Sequence, residues 1–253
     1  MPMLREHFPE RLVGDAHFRW RGGDVSRFES LSDMVFAFAL TLIVVSMEVP
    51  RTFAQLRAVL GQLPAFACSF TMLVMVWWFH YLYHRRYGFE DFPSFLLNAL
   101  LLFVILFYVY PLKFLAVLLQ AVFTGRGPIQ TASDGTTVQM LAHDVELGQL
   151  MILYSAGVAI VFALLCAMYV LAWRRRELLQ LNAPERVLTK AGIVGHAATA
   201  GVGLLSIGIA LVWREPAGYS CAGWIYFLMW PLHMTLGIVT GRRVERLAET
   251  ATA

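Results

Sequence analysis

The chain has 253 residues, of which 58% are hydrophobic and only 15% are charged, and its formal net charge is +3. Soluble domains carry about 25% charged residues, so this composition excludes an ordinary soluble globular protein. Because the net charge is small and no basic stripe runs through the chain, a nucleic acid is not expected as a partner. We therefore expect an integral membrane protein.

Six apolar segments are long enough to cross a bilayer as helices, since a hydrocarbon core about 30 Å thick needs about 20 apolar residues. None of them shows the alternation of a transmembrane β-strand. The sequence therefore predicts an all-α integral membrane protein with six transmembrane helices and an irregular loop over residues 124–143. The predicted helices cover residues 27–49, 64–83, 93–123, 148–173, 190–213 and 218–239.

The lysine and arginine residues favour one orientation of these helices. With the N-terminus in the cytoplasm, 15 of the 20 basic residues fall in or beside cytoplasmic segments, which is the asymmetry of the positive-inside rule. We therefore expect a multi-pass protein of the cell membrane with both termini in the cytoplasm. The expected parts are a cytoplasmic segment at 1–26, a transmembrane domain at 27–240 and a cytoplasmic tail at 241–253.

The start of the first helix places an acidic residue inside the bundle. Ser26 and Glu29 match the S-x-x-E capping box, which predicts that the helix begins at Arg27. Asp33 then lies within the helix, where a carboxylate is unfavourable without a partner. One interpretation is an interfacial carboxylate in contact with water. The other is a buried polar cluster that joins Arg27, Ser32 and Asp33 to His80 or His84 and to Asn98.

The same stretch resembles a known family signature. Four of its residues, followed by an apolar helix, are similar to the R-x-x-x-F-S-D motif of the transmembrane-protein-175 family of potassium channels, with leucine in place of the phenylalanine: Arg27, Leu31, Ser32 and Asp33. The resemblance continues to about residue 115. It includes the end of the family's second helix and part of its third. The residues that carry it there are Trp77, Trp78, His80, His84, Arg85, Asn98 and Pro111.

This resemblance implies a fold and a function. In the family, first helices arranged around an axis line the pore, and the TVGYG filter of other potassium channels is absent, as it is from this sequence. The arginine-to-aspartate motif occurs once in the chain. The resemblance therefore implies a homotetramer that conducts potassium ions and is surrounded by membrane lipid.

The resemblance also implies which residues line the pore. They are Phe38, then Thr41 or Leu42, and Val45. At about 100° per residue these positions fall on one stripe of the helix. Phe38 is bulkier than the isoleucine or leucine common in the family, so a ring of four phenylalanines is expected to act as a gate by dewetting, with the Thr41 hydroxyl contributing to selectivity. The opposite positions, Val35, Ala39, Ile43 and Ser46, are expected to face neighbouring helices.

Other functions leave weaker signals in the sequence. His80 and His84 lie four residues apart and, with His196 or His233 on another helix, allow a haem-binding alternative. A secondary transporter is a further alternative, and the bulk of Phe38 also allows a non-conducting structural membrane protein of the same fold. The sequence contains none of the usual nucleophile, zinc or phosphate-loop motifs, so no enzyme, cofactor or metal is expected.

Overall fold

The computed structural model describes residues 17–23, 25–45, 49–125, 129–131 and 137–252. Within them the chain forms eight α-helices and one short β-ribbon. A 3-10 turn at Ile225–Leu228 connects the last two helices. The helices are α1 (Arg27–Val45), α2 (Phe53–Gly61), α3 (Leu63–Tyr87), α4 (Phe92–Phe123), α5 (Asp144–Arg174), α6 (Ala183–Val212), α7 (Pro216–Trp224) and α8 (Met229–Thr252).

Six helical segments in this described part are long and apolar enough to cross a membrane. They are α1, α3, α4, α5, α6 and the segment Pro216–Glu249, which contains α7 and most of α8. The predicted all-α fold with six transmembrane helices is therefore confirmed. The main apolar core lies between α1, α3, α4, α5 and α6, whereas α8 buries little of its surface within the chain.

Several helix boundaries differ from the expected ones. α6 begins at Ala183 instead of residue 190, because Asn182 and Glu185 form a capping box that starts the helix two turns before its apolar stretch. α8 continues to Thr252, so the expected tail at 241–253 is helical as far as it is described. Residues 1–16 of the expected N-terminal segment, and residues 46–48 at the expected end of the first helix, lie outside the described residues.

The loop between α4 and α5 contains a short β-ribbon. Ile129–Thr131 (β1) pairs antiparallel with Thr137–Gln139 (β2), and Ile129 lies opposite Gln139. The expectation of an irregular loop is therefore wrong for these two strands. Their isoleucine, valine and threonine residues favour extended backbone, whereas the glycines and proline of the intervening sequence suggested irregular structure.

The N-terminal end of α1 is fixed by capping and by an ion pair. The Glu29 backbone N–H donates to Ser26 Oγ over 3.1 Å, which confirms the predicted start at Arg27. The Glu29 carboxylate lies 3.0 Å from Arg85 Nε near the end of α3. Farther along α1, Phe36, Ala39 and Ile43 are all buried. One face of α1 therefore packs on α3 and α4.

Small residues let α5 and α6 approach closely. A Cβ on Gly203 would lie 2.9 Å from the Ser155 carbonyl oxygen, and Thr199 is fully buried. A Cβ on Gly195 would meet Leu236 of α8 at 3.3 Å. The spacing of Gly195, Thr199 and Gly203 along one face of α6 therefore serves helix packing, as small residues often do in membranes.

The segment before α1 docks against the ends of α3 and α6. Phe18 is buried, and the Arg86 guanidinium lies 4.9 Å from its ring centre. The backbone N–H groups of Arg21 and Gly22 both donate to the Arg85 carbonyl over 3.1 Å. Residues 17–23 are therefore part of the folded domain, although hydropathy alone places them outside it.

A buried carboxylate holds this segment in place. Glu185 is 0% exposed. It accepts hydrogen bonds from Arg21 Nη2 over 2.7 Å and from the Arg19 backbone N–H over 2.9 Å. Its carboxylate also accepts from the Asn182 N–H as part of the α6 capping box. One side chain thus starts α6 and anchors the segment that leads into α1.

An ion pair joins the beginning of α4 to the end of α5. Arg175 binds the Asp91 carboxylate. The hydrogen bond from the Arg175 guanidinium lowers the pKa of Asp91 to about 2. A lowered pKa contributes stability above the ordinary carboxyl pKa of about 4, and that contribution is lost only as the pH falls through about 2. The pair is therefore intact at physiological pH.

Replacing Glu185 by Gln is expected to destabilise the fold. The Glu185→Gln change keeps the shape of the side chain but leaves the partly buried Arg21 guanidinium without its anion, which costs about 3 kcal/mol in comparable buried pairs. The expected result is a lower apparent melting temperature of the purified protein in mild detergent.

Glu177→Gln is the matched control, because Glu177 pairs with Arg186 while its side chain is 71% exposed, and such a surface pair contributes little. Equal melting temperatures for the two variants would contradict the anchoring role of Glu185.

Candidate ion pathway on the first helix

Three buried polar side chains join α1, α4 and α3. Asn98 Nδ2 donates to Ser32 Oγ over 2.9 Å, and His80 Nε2 lies 2.8 Å from Asn98 Oδ1. Since an amide oxygen only accepts, His80 donates in this contact and carries its proton on Nε2. Ser32 Oγ in turn donates to the Phe28 carbonyl over 2.8 Å. Each side-chain donor in this Ser32–Asn98–His80 cluster thus reaches an acceptor inside the bundle.

Asp33 has a polar partner, but the partner is a tryptophan. Trp77 Nε1 donates to Asp33 Oδ1 over 2.8 Å. The Trp77 ring stacks on Tyr81 with 5.5 Å between ring centres, and the Arg85 guanidinium lies 5.6 Å from the Tyr81 ring. Asp33 is therefore held at the edge of the bundle, beside the buried cluster.

The contact of Trp77 with Asp33 was not predicted from the sequence. The spacing of Trp77 from the two histidines nevertheless indicated that it lies on the same face of α3. Trp77, His80 and His84 are three and four residues apart, so they share one face of α3. His84 does not reach α1. Its ring lies tilted beside that of His80, with 4.3 Å between ring centres. The expected link from α1 to either histidine is thus made through His80 and Asn98.

The structure places Arg27 and Leu31 outside the cluster. Both side chains are exposed, and Leu31 is 48% exposed. Arg27 precedes Ser32 by five residues, which at about 100° per residue turns it well away from the buried face. The expectation that Arg27 contacts this cluster is therefore wrong. An ion pair at the base of α1 is formed instead by Glu29 and Arg85 of α3.

The opposite face of α1 is an exposed, mostly apolar stripe. Phe38 is 56% exposed and Val45 is 70% exposed, and Thr41 between them is also exposed. Met34, one turn before Phe38, is 68% exposed and extends the same stripe, although sequence reasoning did not select it. We call Met34, Phe38, Thr41 and Val45 the exposed stripe.

Leu42 lies beside this stripe. It is half-buried and packs against the core, because it is rotated by about 100° from Thr41. Of the two positions that the resemblance allowed, Thr41 therefore lies on the exposed stripe. Thr41 Oγ1 donates to the Ala37 carbonyl over 2.8 Å, so its oxygen lone pairs remain available on the exposed side.

The positions expected to face other helices behave as predicted where they are described. Ala39 is 0% exposed and Ile43 is 1% exposed, and Val35 is half-buried. Ser46 lies outside the described residues. α1 is thus two-sided, with one face fixed in the bundle of its own chain and the other face largely exposed within the described chain.

The histidines give no support to a haem site. Nε2 of His80 is engaged by Asn98, and Nε2 of His233 lies 2.8 Å from Thr199 Oγ1. The His196 ring lies within 5.8 Å, centre to centre, of three aromatic rings, those of Phe79, Phe162 and Tyr169. In the part of the chain that the structure describes, no group of three histidine, cysteine, aspartate or glutamate residues is placed to hold a metal.

Comparison with known proteins identifies the family. The profile of the family described as endosomal/lysosomal potassium channel TMEM175 matches residues 27–108, which contain α1, α3 and the first half of α4. A protein of Marivirga tractuosa named "Potassium channel" is 36% identical over 244 residues, which are 95% of this chain and 98% of that protein. A potassium channel of Chamaesiphon minutus is 32% identical over 101 residues, 37% of this chain and 50% of that protein.

Solved structures share the fold. The structure of a threonine-to-alanine variant of the potassium channel MtTMEM175, in complex with a nanobody–MBP fusion protein, is 35% identical and has a TM-score of 0.78, covering 91% of this chain and all of that one. A lysosomal potassium-selective channel TMEM175 homologue from Chamaesiphon minutus has a TM-score of 0.53 at 18% identity. These relatives are channels and not enzymes. The 36% identity to a potassium channel extends over nearly the full length of both proteins, and the family profile matches residues 27–108. This chain therefore belongs to the TMEM175 family of potassium channels.

Proposed function

We propose that the chain forms a potassium channel of the cell membrane, in which four copies surround one axis and the exposed stripe of α1 lines the pathway. The observation that carries this proposal is the two-sided character of α1. Its inner face is fixed by buried hydrogen bonds, and its outer face presents Met34, Phe38, Thr41 and Val45 away from the chain. Because the chain belongs to a family of potassium channels, potassium is the ion that we propose for this pathway.

The number of copies follows from the single motif in each chain. One helix cannot enclose a pathway, and closed symmetric assembly is the usual solution for identical chains. Four copies of the stripe form successive rings around the axis. The proposed order from the N-terminal end of α1 is a methionine ring, a phenylalanine ring, a threonine ring and a valine ring. The distribution of the basic residues supports an orientation with both termini in the cytoplasm, as the positive-inside rule predicts.

Each ring has a distinct physical role in this proposal. An apolar ring narrower than a hydrated ion blocks flow because water leaves it, so the four Phe38 side chains form the gate. The Thr41 hydroxyl oxygens face the axis and replace part of the hydration shell of potassium. Since potassium loses its water more easily than sodium, such a ring favours potassium without a filter of backbone carbonyls.

The polar contacts at the base of α1 set the direction of the stripe. The Ser32–Asn98–His80 cluster and the Trp77–Asp33 hydrogen bond fix the rotation of α1 about its own axis. A rotation of α1 by one residue position would break these bonds where little water replaces them. These contacts therefore keep the Phe38 and Thr41 side chains directed toward the axis. No residue of the Ser32–Asn98–His80 cluster needs to touch the ion.

The gate is tested by shortening its side chain. Phe38→Ala removes four aromatic rings from the proposed constriction, and we expect potassium flux into liposomes to rise by about tenfold or more, because wetting a narrow apolar ring removes its barrier. Phe103→Ala is the matched control, since Phe103 is 68% exposed on α4. Equal flux through the two variants and the parent would contradict the gate.

Selectivity is tested at the hydroxyl ring. Thr41→Ala removes the oxygen but keeps the backbone of α1, and we expect the permeability ratio of potassium to sodium, measured from reversal potentials, to fall several-fold. Thr235→Ala is the control. Thr235 is also exposed, and its hydroxyl donates to the carbonyl four residues earlier over 2.7 Å, as Thr41 does over 2.8 Å. An unchanged ratio in Thr41→Ala would remove Thr41 from the selectivity mechanism.

Assembly is tested at Asp33. Asp33→Ala leaves the Trp77 indole N–H without its acceptor, which costs about 1–3 kcal/mol. We expect native mass spectrometry in mild detergent to find four chains for the parent and fewer tetramers for this variant. The potassium-to-sodium ratio of the channels that remain should stay the same.

Two controls sharpen this experiment. Asp33→Asn keeps an oxygen acceptor for Trp77 and is expected to preserve assembly, and Asp144→Ala removes a carboxylate from the exposed first turn of α5. Two results would contradict the proposal. One is a parent protein found only as a monomer or a dimer, and the other is an Asp33→Ala variant that forms as many tetramers as the parent.

A further inference from the structure

Two cations flank the aromatic ring at the end of α5. The Arg176 guanidinium lies 4.9 Å from the centre of the Trp173 ring, and the Lys190 ammonium of α6 lies 4.7 Å from it. Arg174, the last residue of α5, is exposed. Arg175 is occupied, because it binds Asp91. Glu177 lies 3.4 Å from Arg176, so Arg174, Arg176, Lys190 and Glu177 together keep a positive charge of two.

The connection that follows α5 carries an exposed apolar side chain among these charges. Leu178 is 78% exposed and lies between Arg174–Arg176 and α6. Tryptophan, basic residues and a protruding leucine together at the ends of two membrane-spanning helices match the boundary between head groups and acyl chains. The composition of the cluster of Trp173, Arg174, Arg176 and Lys190 is therefore typical of the level at which phospholipid phosphates lie.

An exposed face of α6 with small side chains runs from this cluster toward the middle of the membrane. Val194, Ala197 and Gly201 follow Lys190 along one exposed face of α6, and Val194 is 53% exposed. A Cβ on Gly201 would meet nothing within 4 Å, whereas Gly203 packs tightly on α5. From Lys190 to Gly201 the helix rises about 16 Å, which matches half of a hydrocarbon core about 30 Å thick.

We propose that this surface binds one anionic diacyl phospholipid. Its phosphate binds Arg174, Arg176 and Lys190, and an acyl chain lies over Ala197 and Gly201. The positive charge of the cluster favours an anionic head group over a zwitterionic one, since lysine and arginine residues near a membrane surface are attracted to anionic lipids. The site lies on α5 and α6, apart from the proposed pathway on α1, so the inference goes beyond ion conduction.

The head-group part is tested by lipid binding to the purified full chain. Native mass spectrometry after addition of phosphatidylglycerol or phosphatidylcholine should show preferential binding of phosphatidylglycerol to the parent. A variant with Arg174→Gln, Arg176→Gln and Lys190→Gln should bind phosphatidylglycerol at least about tenfold more weakly. The matched control is Arg51→Gln, Arg57→Gln and Arg214→Gln, which removes the same charge from three exposed residues elsewhere and should bind like the parent.

The acyl-chain part is tested without any change of charge. Gly201→Leu places a bulky side chain on this face, where the acyl chain would lie, and should weaken phosphatidylglycerol binding several-fold. Gly208→Leu is the control, because Gly208 is equally open but lies about 27 Å from Lys190, beyond the reach of a chain in the same leaflet. Both variants should keep the parent's melting temperature.

Three results would overturn the proposal. The first is equal binding of the two lipids to the parent. The second is undiminished phosphatidylglycerol binding after loss of the three cations of the cluster. The third is equal binding to the Gly201→Leu and Gly208→Leu variants.

Discussion

The hydrogen bonds of Asn98 to Ser32 and His80 are the interaction on which the rest of the structure depends. Asn98 lies on α4, Ser32 on α1 and His80 on α3, so one amide joins three helices. Within a membrane, a polar side chain that loses its partner finds little water to replace it. The three helices therefore have one favourable arrangement, and α1 cannot turn about its axis without breaking it.

This fixed rotation gives α1 its two unlike faces. Ala39 and Ile43 are fully buried, while Phe38 and Val45 remain largely exposed on the same helix. In the proposed channel, the hydroxyl of Thr41 becomes a ligand for potassium because four copies of this face surround one axis.

Local features of the fold could be predicted from the sequence, whereas contacts between residues far apart in the chain could not. Hydropathy predicted all six spans, and the cap at Ser26 predicted where α1 begins, because both signals lie in neighbouring residues. Arg27 was assigned to the wrong partners, since a family motif conserves residue types without stating which way each one faces. Pairings such as Trp77 with Asp33, 44 positions apart, and Arg21 with Glu185, 164 positions apart, depend on how helices pack, and no local pattern encodes them.

In the proposed channel, the exposed stripe of α1 lines the ion pathway. The most direct test introduces one cysteine, Phe38→Cys, into a chain whose Cys68, Cys166 and Cys221 have been replaced by Ser, and measures potassium flux in liposomes before and after a charged, water-soluble thiol reagent. The same reagent on Ala39→Cys, one position away on the buried face, is the comparison. We expect the reagent to change potassium flux strongly at position 38 and to leave it unchanged at position 39. Flux that is unaffected at position 38, with the thiol unmodified whether or not ions are flowing, would contradict this proposal.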